Sequence, residues 1–336
     1  MNIRIAEKYL QRALEEFDSN PLAAKLMRRL AADAPDSFFP VAMKHLNSRE
    51  ESNGHRLMTI LLARQDSLME RLASPAYNSR ESAVDLFRRF LAVDPSFDVK
   101  LARKLPGRSY FGQEHAFDSS HSARALDILD ETSRGRRLLP ILGHLPDSSD
   151  NRISAKATLF VGRRVQSPVW TRKQLARPDQ RIRANAVEAL WGVQTPPALT
   201  LLEECVGDRN HRVAGNSLVG LHIAGRAEAQ PGAMLMSRQG NAEARSTAAW
   251  VLGRISAPEF LKRLTEMVRD EHPQVRSSAL RALMDVRRRE AKRPDLVVPQ
   301  SGEESSEQVP SDVEKAEVLP ESTAPRLNDS KYVVRR

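Results

Sequence analysis

The chain has one cysteine, Cys205, in 336 residues. It can form no internal disulfide, and this usage fits a reducing compartment, so the expectation is a cytoplasmic protein. Cys205 itself reads as a small buried apolar side chain. Aromatic residues are only 5% of the chain, against 40% hydrophobic residues overall, so the core is expected to rest on Ala and Leu helix packing. No apolar run approaches the roughly 18 residues a bilayer span needs. The N-terminal MNIRIAEKYLQRALEEF carries charges throughout, unlike a secretory signal. Enzyme motifs are also missing. There is no HExxH, CxxC, P-loop, GxGxxG or GxSxG, and the eight histidines are scattered. The reading is therefore of a non-catalytic chain with no cofactor and no metal.

What is present is a repeat. Around Ala186 stand an aliphatic residue at −4, a small residue at the anchor and apolar residues at +3 and +4. Similar sets surround Ala157, Ser217, Ala248 and Ala279, so successive anchors lie 29, 31, 31 and 31 residues apart. A fixed period near 30 marks a helical solenoid. Positions −4, 0, +3 and +4 share one helix face, and a small anchor lets a neighbouring helix approach closely. Shorter apolar stretches precede these helices at 168–175, 197–205, 233–236 and 258–268, three of them opening on proline, which suits a first helical turn. Each unit reads as helix A, a turn and helix B, and the units must stack to bury their apolar faces. The turns carry Asp150, Asp179, Asp208 and Asp270, followed by Arg152, Arg181, Arg212 and Arg276.

These residues resemble the HEAT repeat, in the short bacterial variety also seen in phycobilisome lyases, over residues 136–290. The resemblance implies an all-α, right-handed α-α superhelix, a HEAT-like solenoid. It also implies an inter-repeat ladder between the turn Asp and the helix-B Arg, with the B helices lining a concave surface. HEAT-fold hydroxylases of the deoxyhypusine type bind a di-iron centre through His-Glu pairs, and this chain has no His-Glu dipeptide.

Outside the array, residues 1–105 read as an irregular helical-repeat region, with helices expected at 2–17, 21–33, 35–46, 54–64, 66–73, 80–92 and 96–104. Residues 106–120 form a loop holding Tyr110, Phe111 and Phe117; Glu114, His115, Asp118 and His121 in and beside it are expected to be solvated rather than to hold a metal. Residues 121–290 make the HEAT-like array, opened by a helix at 121–131 and another from Arg134 through Leu145. Residues 291–336, rich in Ser, Glu and Pro, read as a disordered acidic tail. The net charge of +9 is uneven: residues 294–336 hold five Lys/Arg and nine Asp/Glu, a balance of −4, which leaves +13 on residues 1–293.

A basic body favours acidic partners, whether protein or nucleic acid. On helix B, positions −1 and +2 turn away from the apolar face. The −1 column is Lys156, Asn185, Asn216, Thr247 and Ser278, all polar; the +2 column is Leu159, Glu188, Val219, Trp250 and Arg281. These columns are the expected partner-binding surface, with Trp250 as anchor. Asn185 and Asn216 resemble the asparagines by which armadillo proteins hold a peptide backbone. Arg163, Arg164, Arg172 and Lys173 are the expected basic patch. The leading reading is a scaffold or adaptor that binds a protein partner. The alternatives are a nucleic-acid-binding protein similar to the HEAT-like DNA glycosylases, whose motifs do not align here, and a lyase-like enzyme partner.

Overall fold

A computed structural model describes residues 3–16, 20–47, 54–76, 79–107 and 116–291. Among them lie eighteen α-helices and no strand. The first eight are α1 (Ile3–Glu15), α2 (Pro21–Asp33), α3 (Pro35–Asn47), α4 (Gly54–Leu62), α5 (Gln65–Ala73), α6 (Arg80–Val93), α7 (Phe97–Ala102) and α8 (Ser119–Thr132). Next come α9 (Leu139–Leu142), a 3-10 turn at Leu145–Asp147 and α10 (Asn151–Val165). Four A–B pairs follow: α11 (Pro168–Leu175) with α12 (Gln180–Glu188), α13 (Pro196–Val206) with α14 (His211–Ile223), α15 (Ala229–Met236) with α16 (Ala242–Ile255), and α17 (Pro258–Met267) with α18 (Pro273–Ala291). None of these helices is long and apolar enough to cross a membrane. Tyr110, Phe111, Glu114, His115 and the expected acidic tail from 292 onward lie outside the described residues.

The five anchors are fully buried, each at 0% exposure, as a period of one helix pair requires. Each B helix packs on the next, α10 on α12, α12 on α14, α14 on α16 and α16 on α18, while each A helix packs on its own B helix. The same two-step stacking runs backward through α8, α6 and α4 to α2. One apolar cluster runs from Leu10 in α1 to Val161 in α10, so the core crosses the expected boundary near residues 106–120. Sequence periodicity missed this continuity because helix lengths and connections vary before α10.

The expected helix from Arg134 through Leu145 does not form. Gly135 turns the chain at φ 85°, Pro140 sits in the first turn of the short α9, and Pro146 sits in the 3-10 turn. Arg137 instead reaches fully buried Asp98, donating from Nε at 3.0 Å and Nη2 at 2.5 Å.

The turn chemistry also differs from the ladder implied by resemblance. Asp150 and Asp179 cap their own B helices, accepting from the N–H groups of Arg152 and Ile153, and of Arg181 and Ile182. Asn210 and Asn241 hold the equivalent position and do the same. Asp208 and Asp270 lie two residues before that position and accept from the N–H of Asn210 and His272. The arginine that matters is at −3. Arg183, Arg245 and Arg276 each donate to the carbonyls six and five residues back, stapling the A–B turn. Among the four turn acids, Asp270 joins two repeats through two 2.9 Å bonds from Arg245, and Asp150 is hydrogen-bonded to Ser119 of α8.

Two predictions follow from this packing. The Arg245 guanidinium holds the Asp270 carboxyl below its ordinary value of 3.8. A lowered folded-state value stabilises the fold above 3.8 and loses that contribution as pH falls through the folded value. Urea midpoints should therefore show wild type ahead of Asp270→Asn at neutral pH, with the gap closing below pH 3.8. Cys205 is buried in α13, and burial, followed by Asp208 and Glu204, pushes its thiol up to about 11. A thiol reagent at pH 8 should leave the native protein unmodified and react on unfolding.

Candidate functional site

The four B helices α12, α14, α16 and α18 line one groove of about 990 Å³. Its floor includes Asn185, Asn216, Thr247 and Ser278 of the −1 column, and Glu188, Trp250 and Arg281 of the +2 column. Lys156, on α10, does not line it. Val219, the remaining +2 residue in this stretch, is buried at 3% exposure instead of turning outward.

The −1 side chains do more than face the groove. Asn185 Nδ2 donates to the Ala155 carbonyl at 2.7 Å, and Asn216 Nδ2 donates to the Ala184 carbonyl at 2.8 Å. Ser278 Oγ lies 2.8 Å from Ser246 Oγ, and a Cβ on Gly215 would stand 2.7 Å from Thr247 Cγ2. Lys156 Nζ reaches Asp127 of α8 at 2.5 Å. In every case a −1 side chain meets the preceding B helix, and in the four regular steps it meets position −2. The asparagine amides are thus engaged within the fold, unlike a track left open for a peptide backbone.

The aromatic centre of the groove is a pair. Trp250, 38% exposed, stacks on Trp191 with centroids 6.3 Å apart and planes 24° apart. Trp191 Nε1 donates to the Asn216 carbonyl at 2.8 Å, which pins the ring across α14. Gly220 makes room for it, since a Cβ there would lie 2.9 Å from Trp191 Cδ1 and 3.0 Å from Leu202 Cδ2. Arg254 covers the Trp191 ring at 5.7 Å. Sequence reasoning had not placed Trp191 or Arg254 in the site. The signal for Trp191 was a large residue at +5 facing a glycine at +3 of the next repeat.

The expected basic patch is largely neutralised. Arg163 and Arg164 converge on Asp130, and Arg163 also pairs with Glu188 at 2.8 Å. Arg164 is a structural residue: it lies 3.5 Å over the Phe160 ring and donates to the Ser133 carbonyl at 2.5 Å. Arg172 pairs with Glu204 at 2.9 Å, while Lys173 is exposed on α11. Burial raises Glu188 above the usual carboxylate range, against the pull of Arg163 and Arg254. No group of three His, Cys, Asp or Glu suited to a metal occurs among the described residues. Asp118 caps α8 and pairs with His121 at 3.0 Å.

A family model for HEAT repeats matches residues 233–307, from α15 onward. HEAT repeats thus account for this part of the chain. Its similarity to solved structures is spread along the chain at low identity. Human deoxyhypusine hydroxylase in complex with glycerol is 16% identical, with 85% of this chain and 98% of that one covered and a TM-score of 0.33. An engineered protein is 14% identical, covering 85% and 95%, with a TM-score of 0.30. A designed armadillo repeat protein in complex with the peptide (KR)4 is 15% identical, covering 74% and 98%, with a TM-score of 0.27. No curated protein sequence matches the chain.

The Trp191 geometry is testable through Gly220. Gly220→Val places methyl groups where Trp191 and Leu202 already touch, at a cost of about 1–3 kcal/mol. Near-ultraviolet circular dichroism should lose the signal of the stacked Trp191–Trp250 pair, and the thermal midpoint should fall. An unchanged spectrum would show that Trp191 does not cross α14 at Gly220.

Proposed function

We propose that this protein is a non-catalytic scaffold that holds an extended protein segment across α12, α14, α16 and α18. The observation that carries this reading is Trp250. It is a large aromatic residue, partly exposed in a groove of helices locked to one another, with its rear face supported by Trp191. Interface anchors have this character, an amphipathic ring held rigidly in a polar surround. Rigid placement matters because a pre-ordered anchor loses little conformational freedom on binding.

The test uses the full chain as bait in its native host, with and without nuclease, beside Trp250→Ala. The variant should keep its fold, since it loses about 0.5–1.5 kcal/mol of ring stacking from a partly exposed site. A defined protein should be retained by wild type through nuclease treatment and lost by the variant. Recovery that vanishes with nuclease would move the protein to the nucleic-acid class. A large drop in thermal midpoint for Trp250→Ala would show that the ring serves the core.

A further inference from the structure

The groove carries more arginine than carboxylate. Six arginines line it against three carboxylates, Glu188, Glu243 and Asp285. Glu188 is taken by Arg163, while Asp285 lies 3.7 Å from Arg288 with both side chains about two-thirds exposed. Arg181, Arg212, Arg254 and Arg281 are exposed, and no described carboxylate lies within ion-pair distance of them. By contrast, Arg163, Arg164 and Arg172 outside the groove all have carboxylate partners. Four of the six groove arginines therefore stand uncompensated around Trp250.

We propose that the groove takes an acidic extended protein segment, with carboxylates held by Arg181, Arg212, Arg254 and Arg281 and one aromatic side chain stacked on Trp250. This rests on the scaffold reading above and adds the chemistry of the partner. Arginine forks bind carboxylates in paired, charge-assisted bonds, and these four have no carboxylate of their own to give up first, Arg281 donating only to the Ser277 carbonyl at 3.3 Å. Arg181 and Arg212 occupy the same position, −5, in consecutive repeats, so they stand one repeat apart on one edge of the groove. Arg254 lies near the other end of α16, and Arg281 lies at the middle of α18. Packed helices are about 8–10 Å apart and an extended chain rises about 3.3 Å per residue, so about three residues span each repeat. Acidic residues at every third position match that step. A nucleic-acid strand carries charge on every nucleotide and meets Glu188, Glu243 and Asp285 along its path. A peptide places neutral or basic residues opposite those carboxylates.

The experiment is fluorescence anisotropy on the full chain with labelled ten-residue peptides carrying one tryptophan. One peptide has glutamate at every third position, one has the same residues clustered, one has lysine in place of glutamate, and a single-stranded oligonucleotide of equal length is the competitor. The spaced acidic peptide should bind at least about tenfold tighter than the lysine peptide, and weaken as salt rises from about 0.05 to 0.5 M. Arg181→Glu with Arg212→Glu should weaken it by about tenfold or more with an unchanged thermal midpoint, because neither side chain carries a fold contact. Should that double variant misfold, Arg212→Gln with Arg281→Gln reads the same loss. Equal binding of the lysine peptide, indifference to charge reversal, or displacement by the oligonucleotide at lower concentration would each overturn the proposal. Trp250-dependent capture of a protein that does not compete with the acidic peptide would overturn this inference while leaving the scaffold reading standing.

Discussion

The structure depends on how closely one B helix can lie against the next. Four of the steps bring position −1 of one repeat onto position −2 of the one before, and the −2 residues there are Ala155, Ala184, Gly215 and Ser246. Only small side chains permit that approach, and it exposes a backbone carbonyl that an asparagine amide can reach. A second contact works in the same way. Gly162 at +5 meets Ala189 at +3 of the next repeat, and Gly253 meets Ala282. At the step from α12 to α14 the sizes are exchanged, with Trp191 at +5 and Gly220 at +3. Volume is conserved across the seam, as close packing demands. The exchange also sets the Trp191 ring against Trp250, which lines the groove.

Polar groups inside the array are matched to the same repeat. A −3 arginine binds two turn carbonyls in three of the five units, and an Asp or Asn two residues before four of the B helices' second residue caps the N–H groups there. Turn carbonyls and first-turn N–H groups are the groups a helix cannot satisfy internally. Side chains of the same unit satisfy many of these groups, and arginines of neighbouring units add others, as Arg177 does to Pro146 and Arg263 to Ser237. Asp98 with Arg137 does comparable work earlier in the chain, tying α7 to the segment that leads into α9.

Much of this was legible. Anchor spacing located every B helix from α10 onward, because period and burial are consequences of one geometry. The A helices were found by their apolar stretches and prolines, and α11 matches its expected bounds at 168–175. Three things were not legible. The stacking of α2, α4, α6 and α8 was hidden because variable helix length removes the fixed period while preserving the packing. The turn ladder was misassigned because Asp208 and Asp270 lie near the cap position, and proximity in sequence does not distinguish a cap from a staple. The polar columns were legible as columns but their destinations were not. Asn185 and Asn216 look alike from sequence whether their amides face solvent or a carbonyl 2.7–2.8 Å away on the neighbouring helix.

The arginines show the same limit and what resolves it. From sequence, Arg163-Arg164 is the obvious basic site because its charges are adjacent. Adjacent arginines on a helix end are also the easiest for one acid to collect, and Asp130 collects both. Arg181 and Arg212 are far apart in sequence and unremarkable there. Folding places them one repeat apart on the groove edge, with no described carboxylate in reach. Mutual repulsion along such an edge destabilises the free protein slightly and is relieved when an anion binds. A solenoid tolerates this because its stability comes from seams between neighbours, and the arginines stand outside them. Charge that the fold does not use is thereby held at fixed positions beside a supported tryptophan, on helices that need not move to receive a ligand.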